Sequence, residues 1–237
     1  MTQIVRRLKW RLLKRDHKLA QLQRTVGYFF DRKDILVRSI THKSVHSHST
    51  RNYEQLEFLG DTIIDYVISE RLISEFPEGS EGLLTQKRAA LVRRSFLANM
   101  AATLGLLDFI SVMPFVDLTQ EKVSQKQLAN VFEAVTGGMY LDGGIKPCRN
   151  LIERTVWNHR QEAWRSINYK GLLLEYCQAN DMDNPRFLVT NTTGPEHEKS
   201  FHVTVQIGDR TFPPRKGATK KAAEQEAAEI ALDFLKP

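Results

Sequence analysis

Apolar positions recur at steps of three and four from Leu19 to about Arg165, the repeat of a helix with one buried face. Leu36, Ile40 and Ser44 keep this step, as do Ile63, Ile64, Val67, Ile68 and Leu72. Proline and glycine interrupt the run at Phe76-Pro77-Glu78-Gly79, at Met113-Pro114 and at Gly143-Gly144. No stretch here alternates apolar with polar residues, so the pattern predicts an all-α domain. After Trp164 the period changes. Tyr169 to Ala179 still reads as a helix, but Phe187 to Asn191 and Ser200 to Ile207 alternate as strands. Gly208-Asp209 reads as a turn, Arg210 to Phe212 opens a short third strand, and Thr219 to Leu235 closes the chain as an Ala- and Glu-rich helix. The expected fold class is an all-α domain followed by a small α+β domain in the order α-β-β-β-α. The expected boundaries are 1–18 for a basic N-terminal extension, 19–164 for the helical domain and 166–237 for the second domain. The join near Ile167 has no Gly/Ser-rich stretch, so a short tether is expected, with a geometry the sequence leaves open.

Composition sets limits. A chain of 237 residues holds one large or two small domains, and 41% apolar with 26% charged residues is ordinary for a globular protein. No apolar run approaches the length of a membrane-crossing helix, and the start does not read as a secretory signal, so no membrane span is expected. Two cysteines, Cys148 and Cys177, supply neither a disulfide framework nor zinc spacing. They read as small buried apolar residues, consistent with a reducing, cytoplasmic setting. The net charge of +6 is uneven: residues 1–30 carry +7, residues 31–165 balance to zero and residues 166–237 carry −1. The basic character therefore belongs to the N-terminal arm, and a nucleic-acid surface further along must come from local placement of charge. The arm itself, with Ile4, Leu8 and Leu12 spaced by four, fits a helix on RNA, a helix on an anionic membrane surface, or a solvated arm. It is Arg-rich and acid-poor like an organellar transit peptide, but lacks the serine enrichment.

The chemistry concentrates in Asn52 to Asp61, NYEQLEFLGD. Glu54, Glu57 and Asp61 are spaced by three and four, so all three project from one helical face. Like charges one turn apart repel, and no Lys or Arg is interleaved within the decapeptide. An acidic solvated face is the plain reading; a divalent metal bound by oxygen ligands is the functional one. A second helix, LANVFEAVTGG, sets Asn130 and Glu133 three apart on one face, and Gly137 and Gly138 let it pack tightly. Gly60 likewise permits close approach.

THKS (Thr41 to Ser44), NYEQLEFLGD and VFEAVTGGMYLDGG (Val131 to Gly144), in this order, resemble ribonuclease III, the endonuclease of double-stranded RNA. The resemblance runs from about Leu22 over nearly the whole remaining chain. It implies a metal-dependent hydrolase using Mg2+, with Mn2+ as a substitute, in which one metal activates water and a second stabilises the leaving oxygen. It implies ligands at Glu57, Asp61, Asn130 and Glu133, with Asp61 and Glu133 catalytic. Glu54 is an auxiliary acid, and Glu81 sits where the family places another. It implies a homodimer with Phe58 packing across the interface, although Phe58 also reads as core. The expected products carry 5′-phosphate and 3′-hydroxyl ends with short 3′ overhangs, as in rRNA and mRNA precursor processing. The chain departs from the family at Asn130, where most members carry Asp. Asn offers one carbonyl oxygen and no charge, so metal affinity should fall by a Coulomb contribution on the order of a few kcal/mol before desolvation. The outcomes are a higher metal requirement, a single tight metal, an inactive enzyme, or a substitution made to trap RNA. His42 reads as structural, capping or hydrogen-bonded, rather than as a general base; Lys43 reads as an ordinary surface charge, with contact to a backbone phosphate as the alternative.

The α-β-β-β-α order resembles a double-stranded RNA-binding domain, which reads shape, phosphates and 2′-hydroxyls. Thr219 is a good N-cap, and Lys220 and Lys221 in the first turn oppose the helix dipole unless an anion binds there. Arg215 and Lys216 add charge. The loop Gly194 to His197, GPEH, resembles the family's minor-groove contact, and Gln178 matches a contact of the first helix. Leu174 and Gly171 depart from the usual Gln and Thr of that helix. The competing reading is a catalytically impaired double-stranded RNA-binding or RNP-structural protein, and Asn130 separates the two.

Overall fold

The computed structural model describes residues 17–165, 167–193 and 199–235. The basic arm and the GPEH loop with His197 lie outside the described residues. Two compact units form: residues up to Pro77 with Lys87–Arg165, and Glu78–Gln86 with the residues after Ser166. By its contacts, the segment Glu78–Gln86 groups with the second unit.

The first unit is helical. Its elements are α1 (His17–Val26), α2 (Lys33–Ser39), α3 (Glu54–Glu75), α4 (Glu81–Val92, from Lys87 onward), α5 (Arg94–Thr103), a 3-10 turn (Leu106–Phe109), α6 (Glu121–Gly143), α7 (Ile145–Ile152), a π-helical turn (Glu153–Trp157) and α8 (Arg160–Trp164). The expected breaks coincide with the ends of α3 and α6 and with the loop around Pro114. Gly144, at φ +73°, closes α6 in a conformation that disfavours side-chain-bearing residues. An isolated bridge, Thr41 to Ser111, is extended structure that the helical pattern did not foretell.

Helix α6 is the central element. Val131, Phe132, Ala134, Val135 and Met139 are buried almost completely, as are Leu56, Ile64, Ile68 and Leu72 on α3. These two helices pack chiefly on each other. Gly60 and Gly137 set their spacing. A Cβ on Gly60 would overlap the Glu133 carbonyl, and one on Gly137 would overlap the Leu56 carbonyl. Glycine at both points lets two backbones touch where ordinary side chains would hold them apart.

The second unit comprises α9 (Tyr169–Ala179), β1 (Arg186–Thr193), β2 (Ser200–Ile207), β3 (Arg210–Thr211), β4 (Arg215–Gly217) and α10 (Lys220–Leu235). Strand β2 is central and pairs antiparallel with β1, β3 and β4. The third strand, expected as one piece from Arg210, is two short pieces on opposite ends of β2. Pro213 and Pro214 fall between them and have no N–H to give to the ladder. Phe212 stays anchored, donating its N–H to Val205 O at 2.9 Å. The core joins Leu173 and Cys177 of α9, Val203, Val205 and Ile207 of β2, and Ala223, Ala227, Ala228 and Ala231 of α10. The small Ala face brings α10 close to the sheet. Both cysteines are free and buried. Among the described residues, no helix is long and apolar enough to cross a membrane.

Candidate active site

The acid-bearing end of α3 is fixed by the segment before it. Tyr53 N donates to Thr41 O at 3.0 Å, and His42 N donates to Ser111 O at 2.9 Å. Asn52 is fully buried; its Oδ1 accepts from Glu54 N at 2.8 Å and its Nδ2 donates to His46 O at 2.9 Å. The Asn52 side chain thereby satisfies one of the first N–H groups of the helix, as a cap does. From this start Glu54, Glu57 and Asp61 emerge over two turns. Asn130 and Glu133 emerge from α6 beside the glycine contact. All five line one cavity of about 580 Å³, together with Tyr53, Phe58, Gln127 and the cations Lys43, Arg94 and Lys126.

Three cations thus face the acids, two of them, Lys43 and Arg94, from outside the two acid-bearing helices. The absence of cations within NYEQLEFLGD did not reveal this, because Arg94 opens α5 and Lys43 precedes α3. Lys126 was the legible one: it lies four residues before Asn130 and seven before Glu133, on the same helical face. Lys43 Nζ stands 3.6 Å from Glu54 Oε1 with both side chains well exposed.

Burial, then Asp61 and Glu57, push the Glu133 carboxyl from 4.5 up to about 8, with Arg94 acting against them. Glu57 is also raised, by burial and then Glu54, with Lys126, Arg94 and Lys43 opposing. The cavity therefore holds carboxylates that favour gaining positive charge, whether a proton or a cation. Asp61, Glu57, Glu133 and Asn130 offer only hard oxygen ligands to a cation, the donor type that Mg2+ and Mn2+ prefer. Among the described residues, no three His, Cys, Asp or Glu side chains are already drawn together at ligating distance. The fit is thus one of donor type and charge.

His42 is almost fully buried, and its Nδ1 accepts from Ser44 N at 3.0 Å. Burial, followed by Lys43, lowers its pKa. The ring is held as a structural clip, as the sequence suggested. Tyr53 is only 2% exposed; its hydroxyl donates to Gln127 Oε1 in a short hydrogen bond. Burial and then Glu57 raise this phenol well above its usual range, with Asn130 acting in the lowering direction. Sequence reasoning missed Tyr53 and Gln127. The signal was weak: Gln127 precedes Asn130 by three on one face, but nothing marked Tyr53 as more than core. Phe58 is 79% exposed at the cavity rim. Glu81 begins α4 and does not line this cavity.

In the second unit, Thr219 caps α10 as expected, its Oγ1 accepting from Ala222 N at 3.1 Å. Lys216, Lys220 and Lys221 are exposed, as is Gln178. Lys220 and Lys221 share a groove of about 730 Å³ with Lys170, Gly171 and Leu174 of α9. Gln178 is not among its lining residues. Asn168 joins the two helices, capping α9 by accepting from Gly171 N at 3.3 Å and accepting from Gln225 Nε2 at 3.2 Å. A Cβ at Gly171 would meet the amide end of the Asn168 side chain, Nδ2, at 2.6 Å.

Residues 32–159 match the family described as Ribonuclease-III-like, and residues 169–235 match the double-stranded RNA binding motif. The chain is 35% identical over 226 residues to Ribonuclease 3 of a Nitratiruptor species, covering 92% of this chain and 97% of that protein. It is 36% identical over 224 residues to Ribonuclease 3 of Rhodopirellula baltica, covering 92% and 83%. Among solved structures, the nuclease domain of ribonuclease III from Campylobacter jejuni aligns with a TM-score of 0.55 at 32% identity, over 59% of this chain and 96% of that one. Helical acid-lined domain and duplex-binding fold together define an endoribonuclease specific for double-stranded RNA. The chain belongs to the ribonuclease III family.

Proposed function

We propose that residues 19–164 form the catalytic domain, that residues 166–237 hold the duplex, and that cleavage uses Mg2+, or Mn2+ in its place, at the acid cavity. The observation that carries this reading is the meeting of Glu57 and Asp61 from α3 with Asn130 and Glu133 from α6 in one cavity. Glu57, Asp61, Asn130 and Glu133 would hold the metal, with Glu54 and Glu81 as auxiliary acids. When bound, the metal supplies an activated water and charge stabilisation at the leaving oxygen. Asp61 and Glu133 would also orient the attacking water, and Lys43, Arg94 and Lys126 offer positive charge to the phosphodiester. Binding energy comes from Lys216, Lys220 and Lys221 against phosphates, with Thr219 as the helix cap, and from Gln178 and His197 at minor grooves.

The working form is a homodimer, each protomer cutting one strand. Its support is the exposure of Phe58 beside the acids, and the Campylobacter jejuni nuclease domain is itself described by a region involved in dimer formation. The products are 5′-phosphate and 3′-hydroxyl ends with short 3′ overhangs, and the substrates are structured rRNA and mRNA precursors. Two buried free thiols fit a reducing cytoplasm. The test is a long RNA duplex incubated with the protein in Mg2+, Mn2+ or EDTA, with end analysis of the products. Short duplexes with those ends in either metal support the reading. Intact RNA in both metals, with duplex binding retained, would instead make this a binding protein without cleavage.

A further inference from the structure

We propose that Lys43, Arg94 and Lys126 form a fixed counter-charge in the acid cavity, so that it binds a divalent ion weakly by itself and firmly once an RNA phosphodiester neutralises them. The inference rests on the metal-site reading above.

The backbone fixes where each cation stands. Lys43 lies between two tied residues: His42 N donates to Ser111 O at 2.9 Å, and Ser44 Oγ accepts from Met113 N at 3.0 Å. Arg94 opens α5, whose Phe96, Leu97, Met100 and Ala101 are buried and which packs on α6. Lys126 is on α6 itself, one turn before Asn130 and two before Glu133. All three line the cavity with Glu54, Glu57, Asp61 and Glu133, and Lys43 Nζ is 3.6 Å from Glu54 Oε1. All three are also exposed, so an RNA strand can reach them.

Helix stability does not account for Arg94. It sits in the first turn of α5, where the dipole disfavours a cation, and Arg93 at the N-cap makes no side-chain hydrogen bond to offset this. The acids that share its cavity do account for it.

The consequence follows from the balance of charge. With the His42 ring neutral, four carboxylates against three cations leave the lining one formal negative charge, and Asn130 adds none. A cavity of about 580 Å³ is on the order of 10 Å across, about one Debye length, so each charge on its wall acts on an ion inside. A divalent ion would turn the formal charge to plus one, and the three cations repel it. A phosphodiester brings a negative charge to those same cations and restores the balance. Each ligand therefore strengthens the binding of the other, and the coupling is reciprocal. Without metal the cations still attract phosphate, so duplex binding does not wait for the ion.

The test uses the full chain carrying Arg94→Gln or Lys126→Gln. Mn2+ affinity is read without RNA, by calorimetry and by the electron paramagnetic resonance of Mn2+. Affinity for a long RNA duplex is read in EDTA, across a salt series. Lys122→Gln is the control, because Lys122 is exposed one turn before Lys126 on α6 but does not line the cavity. Each cavity variant should bind Mn2+ about three- to tenfold more tightly. Each should bind duplex about three- to tenfold more weakly, with the slope of log affinity against log salt reduced by about one, while the second domain still holds the RNA. Lys122→Gln should move either affinity less than about twofold. Tighter Mn2+ with unchanged duplex affinity would make the cations mere neutralisers of the acids and overturn the proposal. Unchanged Mn2+ affinity, or equal shifts from Lys122→Gln, would overturn it too. Circular dichroism checks that each variant is folded, and either folded variant decides the matter alone. If Mn2+ binds neither the native chain nor any variant, the metal-site reading itself fails and the proposal falls with it.

Discussion

Gly60 lies directly against the carbonyl of Glu133, so closely that a Cβ at position 60 would overlap that oxygen. The contact joins the two helices carrying the acids at the point where the acids emerge. Gly60→Ala must push α3 from α6, because the obstacle is backbone and cannot rotate aside. Overpacking of this kind costs about 1–3 kcal/mol, and more where backbone must move. The melting temperature should fall by several degrees. Cleavage measured well below that temperature should also fall, because the separation of Asp61 from Glu133 changes. Alanine at 60 with unchanged stability and activity would mean the helix contact does not set the site.

Glu133 is the only charged group that α6 brings to the cavity with the α3 acids apart from Lys126. Glu133→Ala should abolish cleavage while leaving duplex binding in EDTA intact, since binding draws on the second domain. The measurement is a gel shift in EDTA beside cleavage in Mg2+. Retained cleavage would move the site elsewhere.

The same carboxyl gives the metal-free protein a pH signature. Unfolded, it ionises near 4.5; folded, near 8. Between these values the folded chain keeps a proton that the unfolded chain has released. Its contribution to stability is therefore full below pH 4.5, declines as pH rises toward 8, and is lost beyond it, by up to a few kcal/mol. Glu57, raised for similar reasons, adds in the same direction. In EDTA, the melting temperature of the native protein should fall from pH 5 to pH 8 more steeply than that of Glu133→Gln. Divalent binding must displace the proton, so Mg2+ affinity should rise over the same window, with proton release detectable at pH 6. Parallel stability curves for the two proteins would remove Glu133 from the account.

Much of this was legible in the sequence because it rests on periodicity and local chemistry. The helical step placed Ile64, Ile68 and Leu72 in the core, and the alternation from Ser200 to Ile207 gave β2 with both ends correct. Asp61 and Glu133 were each placed on a face by spacing alone. That the two faces meet was carried by the family resemblance, since spacing within one helix is silent about another. What stayed hidden has the same cause. Arg94 reaches the acids from a separate helix, and the spacing does not single out Tyr53, whose hydroxyl meets Gln127. The divided third strand was in principle readable from Pro213-Pro214, which removes two successive ladder donors.

Asn130→Asp should lower the Mg2+ concentration for half-maximal cleavage, because it returns a full charge to a ligand position. The same change should raise Glu133 further by adding a like charge nearby, so the gain in metal affinity should be larger at pH 8 than at pH 6.5. A titration of Mg2+ against cleavage rate at both values checks this. An unchanged or raised requirement would mean that position 130 does not face the metal.

Lys220 and Lys221 occupy the first turn of α10, where the helix dipole disfavours cations, and both are exposed. A helix built only for stability would carry acids there. Their replacement by Ala in one double variant should weaken binding to all duplex sequences alike, because phosphate contacts carry affinity and counterion release but no sequence information. The slope of log affinity against log salt should flatten by about one to two units as two phosphate contacts are lost. The stability of the protein should hold or rise slightly, since two cations leave a positive helix end while Thr219 continues to cap it. Binding to several unrelated duplexes across a salt series, beside thermal unfolding of the full chain, separates the outcomes. A loss confined to one sequence would contradict phosphate reading, and a large fall in melting temperature would make the lysines structural.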